Sequence, residues 1–223
     1  MSDPDNVLRP LGPEWAAIVL AAGEGRRMGG RPKCLLQLDG VPLISHQLNL
    51  LFELGVGQIV LVLGHHASAI KEAVAAYTSD PRLFVVEQQG NTHSQQDSLK
   101  LGLAQLSPSI QTVISSPADL PSLRRDEYEF VVRAYQTRAP DCHFVGPVVN
   151  DVPGHPVIFD RTVVDQVVSG QGPFGSGRWR GSALPGVCHC ISDNDRFIED
   201  LDTEADRLAI AQRRGVSLDW DEF

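Results

Sequence analysis

A basic, glycine-rich segment is the first feature of the sequence that could carry out chemistry. Residues 20–33 read L-A-A-G-E-G-R-R-M-G-G-R-P-K and follow a short apolar run. Gly23 and Gly25 have no Cβ atom, so their backbone N–H groups can approach a phosphate closely. Arg27 and Lys33 add positive charge beside them. The segment therefore predicts a phosphate-binding loop in which the backbone from Ala22 to Gly25 contacts a nucleotide.

The charge of this loop is opposite to that of the whole chain. Arg26, Arg27, Arg31 and Lys33 place four cations within eight residues, with no acid among them. The 223-residue chain has 28 acidic and 19 basic residues, a formal net charge of -9. Such a surface repels nucleic acids and anionic membranes, so neither is expected as a partner. Phosphate binding is expected only where the charge is locally positive.

Two common phosphate-binding motifs do not fit the loop. The dinucleotide motif G-x-G-x-x-G requires a third glycine at the position of Met28. The Walker loop requires Lys and then Ser or Thr directly after its last glycine, but Arg31-Pro32 follows Gly30. The remaining interpretations are a different kind of phosphate site and an ordinary glycine turn with surface arginines.

Two aspartates are candidate ligands for a divalent cation. Asp119 lies in S-P-A-D-L-P, just after a predicted strand, and Asp202 lies in D-L-D-T-E-A-D. Mg²⁺ prefers oxygen ligands and keeps several waters while it bridges phosphates, so carboxylates at a phosphate site suit it. Alternatively, Asp119 caps the next turn, and Asp202 only precedes a helix N-cap and interacts with the helix dipole.

Apolar runs and helical patterns alternate along the chain. We predict strands at 16–20, 59–63, 83–86, 112–114, 143–146, 156–159 and 187–191, and helices at 42–54, 67–77, 94–106 and 203–214. Gly55 is the expected cap of the first helix and Thr203 the expected N-cap of the last. The order predicts an α/β fold, a single three-layer, doubly wound and mostly parallel sheet with sites at the carboxyl ends of its strands. Residues 1–13 are expected to form a flexible arm and 14–223 one domain.

The remaining composition gives expectations about cysteines and location. Four cysteines in a chain of this length do not make a disulfide framework, so free thiols are expected. Cys188-His189-Cys190 is better explained as alternation on a strand than as a metal site. The polar N-terminus has no apolar signal region, and no apolar run approaches about 20 residues. The expected location is the cytoplasm.

Several motifs together resemble one enzyme family. The segment L-A-A-G-x-G-x-R-M-G-x-x-P-K looks like the signature loop of the MobA-like nucleotidyltransferases, which have a Rossmann-like nucleotidyltransferase fold. Residues 96–103 resemble the family segment that contacts base and sugar, and 116–121 resemble its Asp-Met-Pro metal motif, with Leu120 for methionine. Residues 154–159 and 200–206 are similar to segments of the molybdopterin cytidylyltransferase branch.

The resemblance implies a role for each matching residue. Arg27, Lys33 and Asp119 would be catalytic, Mg²⁺ would be held by Asp119 and Asp202, and the acceptor would be bound by His155 and Arg178. The nucleotide-binding residues would be Leu20, Ala21, Ala22, Gly23, Gly25 and Ser98. His155 in a Gly-His-Pro turn could equally be structural, and a cap at Ser94 is the alternative to binding by Ser98. His65, His66 and His93 are expected to be merely solvated.

The family match favours a particular reaction but leaves the acceptor open. Ala21-Ala22-Gly23 with Pro32-Lys33 resembles the branch that uses CTP, and the implied acceptor is molybdopterin, with a molybdoenzyme as partner protein. The match weakens at 169–178, where the branch has a short G-D-x-G-A-R and this chain has a longer loop without the acid. A nucleotidyltransferase for a sugar, polyol or choline phosphate, and a regulator or chaperone that only binds nucleotide, are the alternatives.

Overall fold

Strands and helices alternate through most of the chain in the computed structural model, which describes residues 8–89, 94–175 and 184–220. The strands are β1 (Gly12–Ala21), β2 (Gln37–Leu38), β3 (Val41–Pro42), β4 (Val56–Leu63), β5 (Leu83–Glu87), β6 (Thr112–Pro117), β7 (Phe144–Val149), β8 (Val152–Pro153), β9 (Val157–Asp160), β10 (Val187–Ile191) and β11 (Leu218–Asp219). The helices are α1 (Leu43–Leu54), α2 (Ala67–Ala73), α3 (Gln95–Leu103), α4 (Arg125–Gln136), α5 (Arg161–Ser169) and α6 (Glu204–Arg214).

The main sheet is mostly parallel, which confirms the predicted α/β fold. Its strand order is β10-β7-β9-β6-β1-β4-β5, with β8 paired to β7. Only β9 runs against its two neighbours in this order, and β8 forms an antiparallel hairpin with β7. The chain moves from β1 outward to β4 and β5, then returns through α3 to β6 on the other side of β1. The strand order therefore reverses between β1 and β6, the position where ligands bind in doubly wound sheets.

Side chains of β1 alternate between two apolar layers. Ala17 and Val19 pack into a core cluster with residues of α1, α2 and α4, whereas Ile18 and Leu20 pack into a second cluster with residues of α3 and α5. Because β1 is buried on both faces, its sequence reads as a continuous apolar run instead of an alternating one. The two clusters give the predicted three-layer arrangement.

A small antiparallel sheet, β11-β2-β3, forms a third cluster beside the main one. Its buried residues come from distant parts of the chain, including Met28, Leu36, Leu201, Ile210 and Leu218. The strands are only two residues long, so the sequence pattern does not predict them. This cluster attaches the segment before α6 to the glycine-rich loop.

Residues 8–13 correct the prediction of a flexible arm. Leu8 and Leu11 are buried in the first core cluster. The amide of Leu11 donates to the carbonyl of Leu54 at 2.9 Å, and that of Gly12 donates to Gly55 at 3.0 Å. The arm prediction is therefore wrong for residues 8–13, because Leu8 and Leu11 are buried in the same core cluster as residues at the end of α1. Residues 1–7 lie outside the described part of the chain.

The helix ends follow their predicted caps. Gly55 takes the left-handed conformation after α1, with φ of 76°. Thr203 caps α6, where its hydroxyl accepts from the amide of Asp206 at 3.2 Å. Within the described ranges, none of the helices has both the length and the apolar character needed to cross a membrane.

Two cysteines correct the expectation of free thiols. Cys142 and Cys188 form a disulfide, with their Cα atoms 6.1 Å apart. Cys188 lies on β10, as the strand prediction for residues 187–191 requires, and β10 pairs with β7 directly after Cys142. The two cysteines are separated by 46 positions in the sequence, so sequence patterns alone do not predict this pairing. Cys34 and Cys190 are free.

Gly102 brings α3 unusually close to the sheet, and we expect Gly102→Ala to destabilise the fold. A Cβ atom there would lie 2.9 Å from the Cγ2 atoms of Ile18 and Val62, both fully buried. Better helix propensity contributes about 0.5–1 kcal/mol, whereas overpacking costs about 1–3 kcal/mol. Urea unfolding should show a net loss, and exposed Lys100→Ala on the same helix should change stability by less than about 0.5 kcal/mol. A Gly102→Ala variant more stable than the wild type would contradict this close packing.

Candidate active site

The glycine-rich loop leaves β1 and is fixed by its own backbone. Gly25 has a φ of 66°, and a Cβ atom there would lie 1.9 Å from the carbonyl oxygen of Arg31. The carbonyl of Gly25 accepts from the amides of Met28 at 2.8 Å and Gly30 at 3.0 Å. Met28 itself is buried in the third cluster. Met28, which stands where a dinucleotide motif would have its third glycine, thus packs the loop into this apolar cluster.

The loop's cations divide into two groups with different partners. Arg27 and Lys33 line a cavity of about 350 Å³ at the carboxyl ends of β1 and β6, and Arg26 also reaches its edge. Arg31 instead pairs with Glu204 at 3.1 Å and lies 4.1 Å above the ring of Trp220. The cavity is lined by Leu20, Ala21, Gly23, Glu24, Gly25, Arg26, Arg27, Pro32, Lys33, Cys34, Ala118, Asp119 and Asp202.

Lys33 lies between the two candidate carboxylates. Its Nζ atom is 2.6 Å from Oδ1 of Asp202 and 3.8 Å from Oδ2 of Asp119. Oδ2 of Asp202 accepts from Nη1 of Arg27 at 2.6 Å. The structure therefore brings together all four residues that the sequence proposes for catalysis and metal binding: Arg27, Lys33, Asp119 and Asp202.

The surroundings move the pKa values of the two aspartates in opposite directions. Burial raises the pKa of Asp119 above its ordinary value, with the charges of Asp202 and Asp200 adding to the rise and that of Lys33 opposing it. The hydrogen bond from Lys33 lowers the pKa of Asp202, and the charges of Lys33 and Arg27 lower it further. Burial also raises the pKa of the neighbouring Cys34 thiol, so this cysteine is not an activated nucleophile.

A second, less charged cavity adjoins the first. Its volume is about 240 Å³, and it shares Leu20, Gly23 and Asp119 with the charged cavity. Its other lining residues are Ala22, Gln95, Ser98 and Pro117. The hydroxyl of buried Ser98 lies 3.0 Å from Oε1 of Gln88 and 3.3 Å from the carbonyl of Ser94. Ser94 and Asp97 form the capping box of α3, so the cap and the cavity residue are separate side chains.

Of the two proposed acceptor residues, only His155 belongs to the described part of the chain, and it is not brought to these cavities. His155 is buried between β8 and β9, its amide donates to the carbonyl of Phe197 at 2.9 Å, and it lines neither cavity. Arg178 lies outside the described residues, as does His93. The predicted acceptor roles of His155 and Arg178 therefore remain predictions.

His65 and His66 correct the expectation that they are merely solvated. Nε2 of His65 is 2.7 Å from Oε1 of Glu24, and Nε2 of His66 donates to the carbonyl of Glu24 at 3.0 Å. Both follow β4, so they reach the same sheet edge as the loop after β1. The sequence could have predicted this location, because both histidines directly follow a predicted parallel strand.

The carboxylates at the charged cavity fit Mg²⁺ if substrate oxygens supply the remaining ligands. Within the described ranges, no group of three or more His, Cys, Asp or Glu side chains could hold a metal by itself. Asp119 and Asp202 supply two carboxylates, and Mg²⁺ is commonly bound by one or two carboxylates together with phosphates and water. The raised pKa of Asp119 marks an incompletely neutralised carboxylate, which a divalent cation would stabilise.

Asp119→Asn and Asp202→Asn should change thermal stability in opposite directions. The ionised form of Asp119 costs stability at neutral pH, a cost that disappears as the pH falls toward 3.8, so Asp119→Asn should raise Tm. Ionised Asp202 stabilises the fold above the ordinary pKa, and this contribution is lost as the pH falls through its lowered value. Its side chain is 41% exposed, so Asp202→Asn should lower Tm by roughly 1–4 °C, from about 0.5–1 kcal/mol.

Thermal unfolding scans at neutral and acidic pH would test this pair. Asp165→Asn is the matched control, because Asp165 forms an exposed ion pair with Arg161 on α5. Its effect should be small at both pH values. Equal losses of Tm in the 119 and 202 variants would contradict the opposite electrostatic environments.

Comparison with known proteins assigns the chain to a family. The model of the MobA-like NTP transferase domain matches residues 17–183. A 2-C-methyl-D-erythritol 4-phosphate cytidylyltransferase from Streptomyces avermitilis is 34% identical over 144 residues, which cover 63% of this chain and 56% of that protein. The bifunctional protein GlmU from Paraburkholderia phytofirmans is 40% identical over 99 residues, 44% of this chain and 20% of that protein. The chain thus matches about half of the first relative and about a fifth of the second.

Solved structures share the fold of this chain. The crystal structure of Rv0371c from Mycobacterium tuberculosis H37Rv has a TM-score of 0.72 at 25% identity, covering 89% of this chain and 97% of that one. A structure of Rv0371c in complex with manganese has a TM-score of 0.65 at 24% identity, covering 89% and 98%. The match over residues 17–183 shows that the chain belongs to the MobA-like NTP transferase family, and the two structures show that its fold recurs in Rv0371c.

Proposed function

We propose that this chain transfers CMP from CTP to a small phosphorylated acceptor, with Mg²⁺ as cofactor, and releases pyrophosphate. The observation that carries the proposal is the pairing of Arg27 and Lys33 with Asp119 and Asp202 in one cavity at the switch point of the sheet. This set combines cations for phosphates with carboxylates for a divalent ion.

The two adjoining cavities suggest how the nucleotide lies. The second cavity, with the Gln95 amide and the Ser98 hydroxyl, suits base and ribose, whereas the charged cavity suits the triphosphate. Leu20, Gly23 and Asp119 belong to both cavities. The α-phosphate would therefore lie near Gly23 and Asp119, with the leaving pyrophosphate toward Arg27 and Lys33.

The reaction in this arrangement is an in-line displacement. An oxygen of the acceptor phosphate forms a bond to the α-phosphorus while the bond to the pyrophosphate oxygen breaks. Both reactants are anionic, so Arg27 and Lys33 stabilise the charge that develops on the leaving group, and the loop backbone aligns the phosphates. Asp119 and Asp202 would hold Mg²⁺, which when bound polarises the phosphoryl oxygens.

CTP is the favoured nucleotide and molybdopterin the favoured acceptor. The choice of CTP rests on Ala21-Ala22-Gly23 and Pro32-Lys33 and on the named activity of the Streptomyces relative. The acceptor rests on the similarity of 154–159 and 200–206 to the molybdopterin branch, with a molybdoenzyme as the expected partner protein. His155 and Arg178 are proposed to act on this acceptor side.

Pyrophosphate release would test the reaction directly. The protein would be incubated with Mg²⁺, each of the four ribonucleoside triphosphates and a panel of acceptors: molybdopterin and sugar, polyol and choline phosphates. We expect release with CTP and molybdopterin. Release with CTP and only a sugar, polyol or choline phosphate would replace the acceptor, and the absence of release with every pair would favour a binding protein.

Lys33→Ala should lower turnover by roughly 10²–10³-fold, because it removes one preorganised charge donor from the phosphates. Steady-state pyrophosphate release would measure the change. Lys71→Ala is the matched control: it also removes a lysine paired with a carboxylate, that of Glu87, but lines neither cavity. Wild-type turnover in Lys33→Ala would remove this lysine from the mechanism.

A further inference from the structure

Glu24 is an acid within the loop that is proposed to receive a triphosphate. It lies between Gly23 and Gly25 and lines the charged cavity, and its side chain is 28% exposed. An unpaired carboxylate at this position would repel the phosphates of a nucleotide. The loop can therefore function only if this charge is balanced and its position fixed.

Arg26 in the loop and His65 just after β4 both contact this carboxylate. Nε2 of His65 is 2.7 Å from one carboxylate oxygen of Glu24, and Nε of Arg26 donates to the other. The Arg26 side chain is 84% exposed, whereas that of His65 is 35% exposed, so His65 is the more buried partner. These contacts lower the pKa of Glu24. Arg26 has the largest effect, and His65 and His66 have smaller ones.

The main chain of the loop is fixed from the same side. Nε2 of His66 donates to the carbonyl of Glu24 at 3.0 Å. A Cβ atom on Gly64 would lie 2.6 Å from the carbonyl oxygen of Ala22, so the end of β4 packs directly on the loop. Three consecutive residues, 64–66, thus contact Ala22 and Glu24 on either side of Gly23.

We propose that His65 and His66 are positioning residues for the nucleotide: His65 contacts and holds the Glu24 carboxylate, and His66 fixes the backbone that presents Gly23 and Gly25. This inference rests on the proposed nucleotide site. It assigns the two histidines an effect on nucleotide affinity and not on the chemical step, because they contact the loop and line neither cavity.

A double-variant experiment separates this role from a general structural one. His65→Ala should raise the Kd and KM for Mg-CTP by about 2- to 10-fold, the range expected from the loss of one hydrogen bond, with kcat little changed. Glu24→Gln in the same chain should restore wild-type affinity, because the amide no longer repels the phosphates. His66→Ala should also weaken binding, and His66→Gln, which keeps an N–H donor, should recover most of it.

His143→Ala is the matched control. Nδ1 of His143 is 2.7 Å from Oδ2 of Asp160, a histidine–carboxylate pair of the same length outside both cavities. This variant should leave the Kd for Mg-CTP unchanged, and thermal scans of every variant would show whether a change in affinity follows a loss of folding.

Calorimetry and NMR can distinguish failure of the proposed function from failure of this inference alone. The wild type would first be titrated with the four triphosphates and Mg²⁺, and the absence of any binding would overturn both the proposed function and this inference. Nucleotide binding that His65→Ala leaves unchanged, or that Glu24→Gln fails to restore, would overturn the inference alone. In nucleotide-free protein, Glu24→Gln should shift the ring ¹⁵N resonance of His65, and an unshifted resonance would contradict the contact.

Discussion

The site depends on a lysine that is held between two carboxylates. Lys33 is 17% exposed and contacts Asp202 closely and Asp119 at longer range, while Arg27 shares Asp202. The three segments involved are the loop after β1, the end of β6 and the residues before α6. The first two meet because parallel strands bring their carboxyl ends to one edge. The third reaches them only because the small third cluster packs Leu201 and Ile210 against Met28.

This arrangement has consequences for both stability and binding. Two cations and two anions leave the cluster near neutrality, so it does not attract a polyanion by net charge alone. A triphosphate could take the place of Asp202 on Arg27 and Lys33, while a divalent cation neutralised the carboxylates thus released. The raised pKa of Asp119 fits this exchange, because a carboxylate that is costly to ionise in the folded chain gains most from a cation.

The sequence predicts those parts of the fold and site whose interactions are local. Continuous apolar runs predicted β1 and β4, and a contiguous glycine-rich segment predicted the phosphate loop. The sequence also contains a helical pattern for α4, although we did not predict that helix. Its buried residues recur at helical spacing on one face: Tyr128, Val131, Val132 and Tyr135. The two-residue strands of the small sheet, the Cys142–Cys188 pairing and the burial of Leu8 and Leu11 depend on distant partners, which periodicity does not record.

The charges of the loop show the same division between local and distant information. In the sequence the four cations of the loop look equivalent, but in the structure they have different partners. Arg27 and Lys33 contact Asp202, and Arg26 contacts Glu24. Arg31 contacts Glu204 and Trp220. Arg31 therefore attaches the loop to α6, whereas Arg26, Arg27 and Lys33 line the charged cavity. A cationic loop without these partners would attract any small anion. The acids Glu24, Asp202 and Glu204 satisfy its charges, so a ligand must offer several phosphates and a cation to displace them.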